Sequence, residues 1–403
     1  MREIRTVAVV GAGVMGAGIA QVASEAGLDV LLFDPLEGAT TRARQRIAGF
    51  LERKVEKGQL AVEDANAAIE RIREVDALSS LTDADLVIEA VPEVLELKQE
   101  LFRDLDRLVA DDVVLATNTS SLSVARIASA TEHPDRVLGM HFFNPVPLMS
   151  LVELIPGPMT TADVLAAVDG LARRLAKTTV VAADTPGFIV NRVQRALYLE
   201  AFRIFEEGLA GPTDIDDAMR QIGFRLGPFE LADVVGTDVN LAAGKAIFAG
   251  FQDDPRYRPA HVQQRVVEAG RLGRKAGAGY YDYDADDARG EPWAALLQRP
   301  EGSPRLPAID APQIEARVLA TIVNEAASAV ADGVASPDAI DTAMRLASNW
   351  PEGPLAWGER IGLGPVVHTL DALHLAVPDG RYRVTPLLRS LALAGGSFFT
   401  RAR

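Results

Sequence analysis

Val7-Ala-Val-Val-Gly-Ala-Gly-Val-Met-Gly16 joins an apolar run to the pattern G-x-G-x-x-G. In this pattern Gly11 allows a tight turn, and Gly13 lets the backbone approach a pyrophosphate. Gly16 lets the following helix pack close to its strand. The free N–H groups and the dipole at the start of that helix favour phosphate groups. The stretch therefore predicts a Rossmann-like unit that binds a dinucleotide, in preference to a glycine-rich turn that binds nothing.

A carboxylate stands where such a unit would contact the adenosine ribose. The apolar run Val30–Phe33 ends directly before Asp34, eighteen residues after Gly16. A carboxylate there can accept hydrogen bonds from the ribose and would repel a 2′-phosphate, and the next three residues supply no arginine to hold one. We therefore expect NAD rather than NADP as the cofactor. The residues expected to hold it are Gly11, Ala12, Gly13, Val14, Met15, Gly16 and Asp34.

The composition excludes several classes of site and partner. The chain has 403 residues and no cysteine, so disulfides, thiolate catalysis and cysteine-based metal sites are excluded, and no metal site is expected. Its net charge of −15 makes it a poor binder of nucleic acid or of an anionic membrane. No run reaches the roughly 20 apolar residues of a membrane span. We expect a location in the cytoplasm or in a matrix-like compartment.

Apolar runs alternate with helical patterns through residues 1–183. Strands are predicted at 6–10, 29–33, 85–91, 112–116, 136–140, 151–155 and 178–181. Helices are predicted at 14–26, 37–57, 63–73 and 96–109. This alternation is typical of a parallel sheet with helices on both faces, so residues 1–183 are predicted to form a doubly wound α/β domain.

Long helical patterns follow the turn signal Asp184–Gly187 and occur twice. Residues 207–220 match residues 332–345 at a constant spacing of 125 residues, and glycine-proline pairs further on match after one inserted residue. Two matching blocks in the same order indicate an internal repeat. We predict helical domains at 184–283 and 311–403, joined by a linker at 284–310.

His141 and Glu153 form the chemical centre that the pattern favours. His141 follows a predicted strand, and ligands of a doubly wound sheet bind beyond the carboxyl ends of its strands. Glu153 lies inside an apolar strand, where a carboxylate needs a partner. A histidine held by a buried acid can exchange a proton while NAD exchanges a hydride. A structural histidine in a loop is the alternative.

Two polar groups are further candidates for the same site. Asn118–Leu122 follows another predicted strand, and its hydroxyls could contact substrate, cap a helix, or do both. Asn191 opens the first helical domain, where it could complete a pocket or serve as a cap.

Four motifs together resemble the L-3-hydroxyacyl-CoA dehydrogenase family, which includes bacterial 3-hydroxybutyryl-CoA enzymes. They are Gly11–Gly16, Asn118–Ser121, His141–Pro147 and Asp184–Arg192, and the resemblance covers residues 4–283. It implies a Rossmann-like NAD-binding domain followed by all-α domains like the C-terminal domain of 6-phosphogluconate dehydrogenase, here in two tandem copies. It also implies reversible, NAD-dependent oxidation of L-3-hydroxyacyl-CoA to 3-ketoacyl-CoA.

The resemblance also implies roles for particular residues. His141 would be the catalytic base and Glu153 its partner, Ser120 would hydrogen-bond the substrate oxygen, and Asn191 would complete the active site. Further NAD contacts would come from Glu93, Lys98, Asn144 and Lys275.

A basic helix face is the candidate site for coenzyme A. Arg42, Arg46, Arg53 and Lys57 lie within about 60° of one another on a helix, and cations in an acidic chain suit phosphates. The family places coenzyme A against this region, so Arg53, Lys54 and Lys57, together with Ser120, are the candidate contacts. A solvated helix face is the alternative.

The second helical copy departs from the first at one position of the site. Ala316 stands where the first copy has Asn191, whereas Arg317-Val318 still match Arg192-Val193. Helical domains of this family pair between subunits. We therefore expect the second copy to be structural and to pack on the first as an internal pseudo-dimer, so that the protein is either such a monomer or a homodimer.

Three alternative functions stay open at this point. The tandem arrangement and Asn349–Gly358 are similar to dehydrogenases of phenylacetate degradation, which act on 3-hydroxyadipyl-CoA. A relative of gulonate dehydrogenase and lambda-crystallin would act on a free hydroxy acid. A non-catalytic NAD-binding or structural protein belongs to a different class, but it need not keep Ser120, His141, Glu153 and Asn191 together.

Overall fold

The computed structural model describes residues 3–284, 286, 288–298 and 307–399. Its contacts divide the chain into two compact units, Met1–Phe188 and Ile189–Arg403, which we call the sheet unit and the helical unit. Residues 285, 287 and 299–306 of the predicted linker 284–310 lie outside the described ranges. The predicted domain bounds therefore stay predictions.

The sheet unit contains one eight-stranded sheet, in the order β3-β2-β1-β4-β5-β6-β7-β8. Its strands are β1 Thr6–Val10, β2 Asp29–Phe33, β3 Ile72–Val75, β4 Leu86–Glu89, β5 Val114–Thr117, β6 Val137–Phe142, β7 Leu151–Pro156 and β8 Thr178–Val181. Its helices are α1 Val14–Glu25, α2 Ala39–Glu56, α3 Val62–Glu70, α4 Leu95–Leu108, α5 Val124–Ala128 and α6 Ala162–Arg174. The predicted Rossmann-like fold is confirmed.

Alternation along β1 explains why both faces of the sheet are covered. Val7 and Val9 belong to a core shared with α1, α2 and α6, whereas Ala8 and Val10 belong to a core shared with α4 and α5. Successive side chains of a strand point to opposite faces. An uninterrupted apolar strand is therefore buried on both sides, as parallel sheets require.

Two predictions about the sheet need correction. The helix predicted over 63–73 ends at Glu70, and Ile72–Val75 instead pairs in parallel with β2 as an edge strand. The sheet is also not wholly parallel, because β7 runs antiparallel to β6. The connection 143–150 contains no helix, and a parallel crossover needs a dozen or more residues.

The helical unit begins with α7 Val190–Glu207 and repeats one helical pattern. Its helices are α7, α8 Pro212–Gln221, α9 Pro228–Val235, α10 Thr237–Gly250, α11 His261–Glu268, α12 Ala294–Leu297, α13 Ala311–Ala331, α14 Pro337–Ala347, α15 Pro354–Ile361, α16 Leu363–Ala376 and α17 Pro386–Ala394. A small antiparallel pair, β9 Tyr281–Tyr283 and β10 Arg289–Pro292, follows α11 in sequence. No helix of the described residues is long and apolar enough to span a membrane.

The two copies share conformation and capping as well as sequence. Gly236 has φ 98° and ψ 124°, and its counterpart Gly362 has φ 97° and ψ 126°. Asp216 accepts hydrogen bonds from the first backbone N–H groups of α9, and Asp341 does the same for α15. The internal repeat is therefore a repeat of local geometry.

The first helices of the copies, α7 and α13, pack together through reciprocal ion pairs. Arg192 Nε donates to Glu325 Oε1 at 2.7 Å, and its counterpart Arg317 bonds Glu200, the counterpart of Glu325. In the same way, Tyr257 donates to Glu325 and Tyr382 donates to Glu200. When residue i contacts j and the counterpart of j contacts the counterpart of i, the interface has two-fold character.

Phe224 and Trp350 mark the approximate axis of this relation. They occupy corresponding positions after the inserted residue, and their ring centroids lie 5.5 Å apart. Trp357 stacks on the same phenylalanine at 5.3 Å. The segment 349–358 therefore contributes its two tryptophans to packing between the copies.

Candidate functional site

The turn between β1 and α1 leaves no room for side chains at two of its glycines. Gly11 has φ 102°, and a Cβ atom there would lie 2.5 Å from the Ala90 carbonyl oxygen. A Cβ on Gly16 would lie 1.8 Å from the Gly11 oxygen, whereas one on Gly13 would meet open space. Gly11 and Gly16 thus close the turn, and Gly13 keeps its outer surface clear for a ligand.

Asp34 lies beside this turn and helps to shape it. One carboxylate oxygen accepts the Ala12 N–H at 2.7 Å, and the other accepts the Leu36 N–H at 2.9 Å. A carboxylate has about four acceptor positions, so this half-buried group can still accept from a ribose. The turn, the start of α1 and Asp34 fit the adenosine and pyrophosphate parts of NAD.

His141 and Glu153 face each other across the antiparallel strand pair. His141 pairs in register with Glu153, and the distance from Nδ1 to Oε2 is 2.7 Å. Glu153 is fully buried and His141 is 5% exposed. Directly opposed residues of an antiparallel pair bring their side chains together. The antiparallel direction of β7, which the sequence analysis did not predict, therefore places these two side chains side by side.

The carboxylate decides which nitrogen of His141 can act as a base. A carboxylate only accepts hydrogen bonds, so in the neutral imidazole Nδ1 carries the proton and the lone pair is on Nε2. The ring is held between Phe143 and Phe188, with centroid distances of 4.5 and 5.8 Å. The imidazole is thus fixed in tautomer and in orientation.

Glu93 organises the loop that contains Ser120. Its Oε1 accepts the backbone N–H groups of Ser120 and Ser121 at 2.9 and 3.0 Å and the Thr119 hydroxyl at 2.6 Å. Burial acts to raise the pKa of Glu93, but Lys98 and these hydrogen bonds outweigh it, and the pKa lies below its usual value. Glu93 therefore stays ionised and holds the loop.

A buried lysine connects Glu93 to the sheet. Lys98 is 1% exposed, and its Nζ lies 2.6 Å from Glu89 and 3.2 Å from Glu93. Glu89 also accepts the Thr117 hydroxyl at 2.6 Å. The sequence interpretation missed Glu89, although the signal was the one used for Glu153, a carboxylate inside an apolar strand.

Two residues of the quoted motifs, whose roles the sequence did not indicate, fix the loops around His141. Asn118 accepts the Phe142 N–H at 2.9 Å and so ties the end of β5 to β6. Asp184, treated as a turn residue, accepts from the backbone of Val124 and Ala125 and caps α5. Asn144 lies exposed on the loop after β6, and its predicted NAD contact stays a prediction.

Two predicted site residues belong to the helical unit. Asn191 lies in the first turn of α7. Lys275 donates to both carboxylate oxygens of Asp238 at 2.7 and 2.8 Å. Their roles beside NAD and substrate stay predictions.

Most cations of the basic face of α2 are exposed, and one of them forms an ion pair within the protein. Arg42, Arg46, Arg53 and Lys57 are exposed, whereas Lys54 forms an ion pair with Glu25. Contact of these residues with coenzyme A stays a prediction, and Lys54 would have to share its charge with that carboxylate.

Comparisons with known proteins agree with this arrangement. The model of the 3-hydroxyacyl-CoA dehydrogenase NAD-binding domain matches residues 6–185. The model of the C-terminal domain of the same enzymes matches residues 187–283 and again residues 314–397.

Individual relatives cover all or most of the chain. A 3-hydroxyadipyl-CoA dehydrogenase of Escherichia coli is 38% identical, with 98% of each chain covered. A probable 3-hydroxybutyryl-CoA dehydrogenase of Bacillus subtilis is 41% identical, over 70% of this chain and 98% of its own. The crystal structure of a 3-hydroxybutyryl-CoA dehydrogenase from Escherichia coli has a TM-score of 0.89 and 36% identity, covering 98% of this chain and 99% of its own.

Proposed function

The chain belongs to the 3-hydroxyacyl-CoA dehydrogenase family, and we propose that it oxidises the 3-hydroxyl group of an L-3-hydroxyacyl-CoA with His141 as the general base. The observation that carries this proposal is the hydrogen bond between buried His141 Nδ1 and buried Glu153, which in the neutral imidazole places the proton on Nδ1 and the lone pair on Nε2. The reaction is reversible, since the same imidazole returns the proton when a ketone is reduced.

The chain's own residues handle the proton and the substrate oxygen. Nε2 of His141 takes the hydroxyl proton, and the Glu153 carboxylate stabilises the imidazolium that forms. The Ser120 hydroxyl hydrogen-bonds the substrate oxygen, held in place by the contacts of its loop with Glu93. Asn191 completes the set by resemblance.

NAD, when bound, supplies the hydride acceptor. The turn Gly11–Gly16 would hold its pyrophosphate, and Asp34 would hold its adenosine ribose. Asp34 and the following Pro35-Leu36-Glu37 disfavour a 2′-phosphate, which supports NAD over NADP.

A substrate that carries coenzyme A distinguishes this proposed function from that of a dehydrogenase acting on a free hydroxy acid. The exposed cations of α2 suit its phosphates. Relatives are named for 3-hydroxybutyryl-CoA and for 3-hydroxyadipyl-CoA, substrates that differ at the far end of the acyl chain. A place in the cytoplasm stays a prediction.

We infer further that the second helical copy takes the place of a partner subunit. The reciprocal pairs Arg192–Glu325 and Arg317–Glu200 support this arrangement. The Bacillus subtilis relative is matched over 98% of its own length by only 70% of this chain, so it is too short to contain both helical copies.

The central experiment measures NADH formation from 3-hydroxybutyryl-CoA at alkaline pH. His141→Ala should lower kcat by about 10²–10⁴-fold, because general-base catalysis contributes that much. NAD binding, followed by fluorescence, should stay near the wild-type value, since the glycine turn is untouched. An equal rate in the variant would remove His141 from the mechanism. Loss of rate with free CoA added would separate acyl-CoA chemistry from free-acid chemistry.

A further inference from the structure

Lys177 carries a buried positive charge that the proposed reaction does not use. It lies between α6 and β8 and is 7% exposed. Its Nζ donates to the main-chain carbonyls of Val146 and Met149 at 2.6 and 2.7 Å. Burial lowers the pKa of this lysine, and the charge of Glu25 opposes that effect only in part. Burying an ammonium group costs free energy, which the hydrogen bonds to the two carbonyls offset.

Both carbonyls belong to the loop 143–150, which connects β6 to β7. Two prolines in this loop have no N–H group to donate. Its amides at Leu148 and Met149 both bond the Pro145 carbonyl at 3.0 Å, and not the two carbonyls that Lys177 holds. Buried main-chain carbonyls need donors, so the lysine supplies what the loop lacks.

The loop is also held by its neighbours in the sheet unit. Val146 is buried, and a Cβ atom added to Gly18 of α1 would lie 2.8 Å from the Cβ of Val146. At the end of the loop, the Thr178 N–H donates to the Ser150 carbonyl at 2.7 Å. Lys177 therefore completes a set of contacts that fixes the loop between α1 and the start of β8.

This loop determines how the imidazole of His141 is held. Phe143 begins the loop, and the centroid of its ring lies 4.5 Å from that of His141. Glu153, whose Oε2 lies 2.7 Å from Nδ1 of His141, follows shortly after the loop ends. A shift of the loop would therefore disturb both the ring contact and the pairing of β7 with β6. A misplacement of ~1 Å in a reacting group can lower a rate by about 100-fold.

We propose that Lys177 is a positioning residue for the reaction, acting through the loop 143–150 on the orientation of His141. This inference rests on the proposed function, because it takes His141 to be the base. The action is indirect, since the ammonium bonds main-chain atoms of the loop. A lysine that served stability alone would change the folded fraction and leave the rate of the folded enzyme unaltered.

A cavity beside Lys177 offers a way to replace its ammonium group. The cavity has a volume of about 370 Å³, and the side chains that line it include Val22, Pro147, Met149, Arg174 and Lys177. The variant Lys177→Ala removes three carbons and the ammonium, a fragment that corresponds to propylammonium. We expect added propylammonium to occupy this space and to donate to the same two carbonyls.

The experiment measures kcat and KM for oxidation of 3-hydroxybutyryl-CoA at saturating NAD. Lys177→Ala should lower kcat by about 10- to 100-fold, because the base is misplaced, and leave KM near its wild-type value. Propylammonium should restore much of the lost kcat in a saturable manner. Propanol, which has the same length but no charge, should not restore it, and neither compound should change the wild-type rate.

Two further variants separate positioning from folding. Arg174→Ala alters the same cavity, but its hydrogen bond is to the Ile4 carbonyl before β1, at 2.7 Å, so kcat should stay at the wild-type value. Lys177→Met keeps most of the aliphatic packing and removes the ammonium. It should show the same fall in kcat if Lys177→Ala does not fold. Circular dichroism would measure the folded fraction of each variant.

The outcomes distinguish this inference from the proposed function. Unchanged kcat in a folded Lys177 variant would overturn the positioning role while leaving the dehydrogenase intact. A loss of rate that only follows the folded fraction, or that propylammonium does not relieve, would do the same. Failure of the wild-type protein to form NADH from 3-hydroxybutyryl-CoA would instead contradict the proposed function.

Discussion

The direction of one strand determines the chemistry of individual residues at the site. Glu153 lies opposite His141 because β7 runs antiparallel to β6. In a parallel continuation the same sequence would give a buried acid with a different neighbour. The buried position of both groups keeps water from competing for their hydrogen bond.

Glu153→Gln should lower kcat by about 10²–10⁴-fold, because an amide can donate to Nδ1 and so place the proton on Nε2. Turnover of 3-hydroxybutyryl-CoA measures this effect, and NAD affinity serves as the control. Unchanged kcat would show that the carboxylate neither fixes the tautomer nor supports the charge.

Lys98→Met should lower the free energy of unfolding by about 3–5 kcal/mol, because it leaves the buried Glu89 carboxylate without a counter-ion. Urea denaturation of both proteins provides the measurement. The double variant Lys98→Met/Glu89→Gln should recover part of the loss. Equal stability of the single variant and the wild type would contradict the assigned pairing.

At the scale of elements, the periodicity of the sequence predicted the features that depend on neighbouring residues and missed those that depend on pairing with a segment distant in sequence. The glycine turn and seven of the strands follow from local pattern, because apolar runs and glycines act within a few residues. The edge strand Ile72–Val75 was missed, since its Arg73 and Glu74 do not look like a buried run. Its strand state comes from pairing with β2.

The site shows the same division. His141 and Glu153 were predicted from a histidine at a strand end and an acid in an apolar strand. Asn118 and Asp184 could not be assigned their roles, because each bonds the backbone of a segment remote in sequence. A polar residue in a loop carries no sequence signal of such a partner.

The acidic caps of α9 and α15 should make the helical unit more stable in mild acid. Burial raises the pKa of Asp341 to about 6 and that of Asp216 to about 7. A carboxyl whose folded pKa is raised stabilises the fold fully below its unfolded pKa, near 4, and loses that contribution as pH rises through the folded value. The stabilisation by Asp341 should therefore be lost between about pH 4 and 6.

The test compares wild-type protein with Asp341→Asn at several pH values. The free energy of unfolding of the wild type, relative to the variant, should be higher at pH 4.5 than at pH 7.5. The difference should be a few kcal/mol at most, because one pKa unit corresponds to about 1.4 kcal/mol. A difference that grows toward alkaline pH would show that the carboxylate is the favoured form.

At the scale of the whole molecule, the helical unit contains an interface between its two copies in which each ion pair has a counterpart related by the approximate two-fold axis. Arg192–Glu325 and Arg317–Glu200 are buried ion pairs on α7 and α13, and Phe224 meets Trp350 at the approximate axis. Removing one partner of such a buried pair strongly destabilises the fold, because the other charge stays buried without a counter-ion. The two copies should therefore stay together without the peptide that joins them.

Mild proteolysis within 284–310, followed by light scattering, tests this expectation. The nicked protein should keep the mass of the intact chain, because the packing of α7 on α13 does not depend on the linker. The variant Arg192→Glu, which places two carboxylates together, should separate into two fragments after the same treatment. Free separation of the nicked wild-type protein would refute the internal pseudo-dimer.

The two-fold relation between α7 and α13 has a consequence for how the chain can change over generations. In an assembly of identical subunits every substitution appears on both sides of the axis at once, so a change that suits one side must be tolerated by the other. Here Ala316 coexists with Asn191 in one polypeptide. A single gene that encodes both halves lets one half specialise in support while the other keeps its reactive groups.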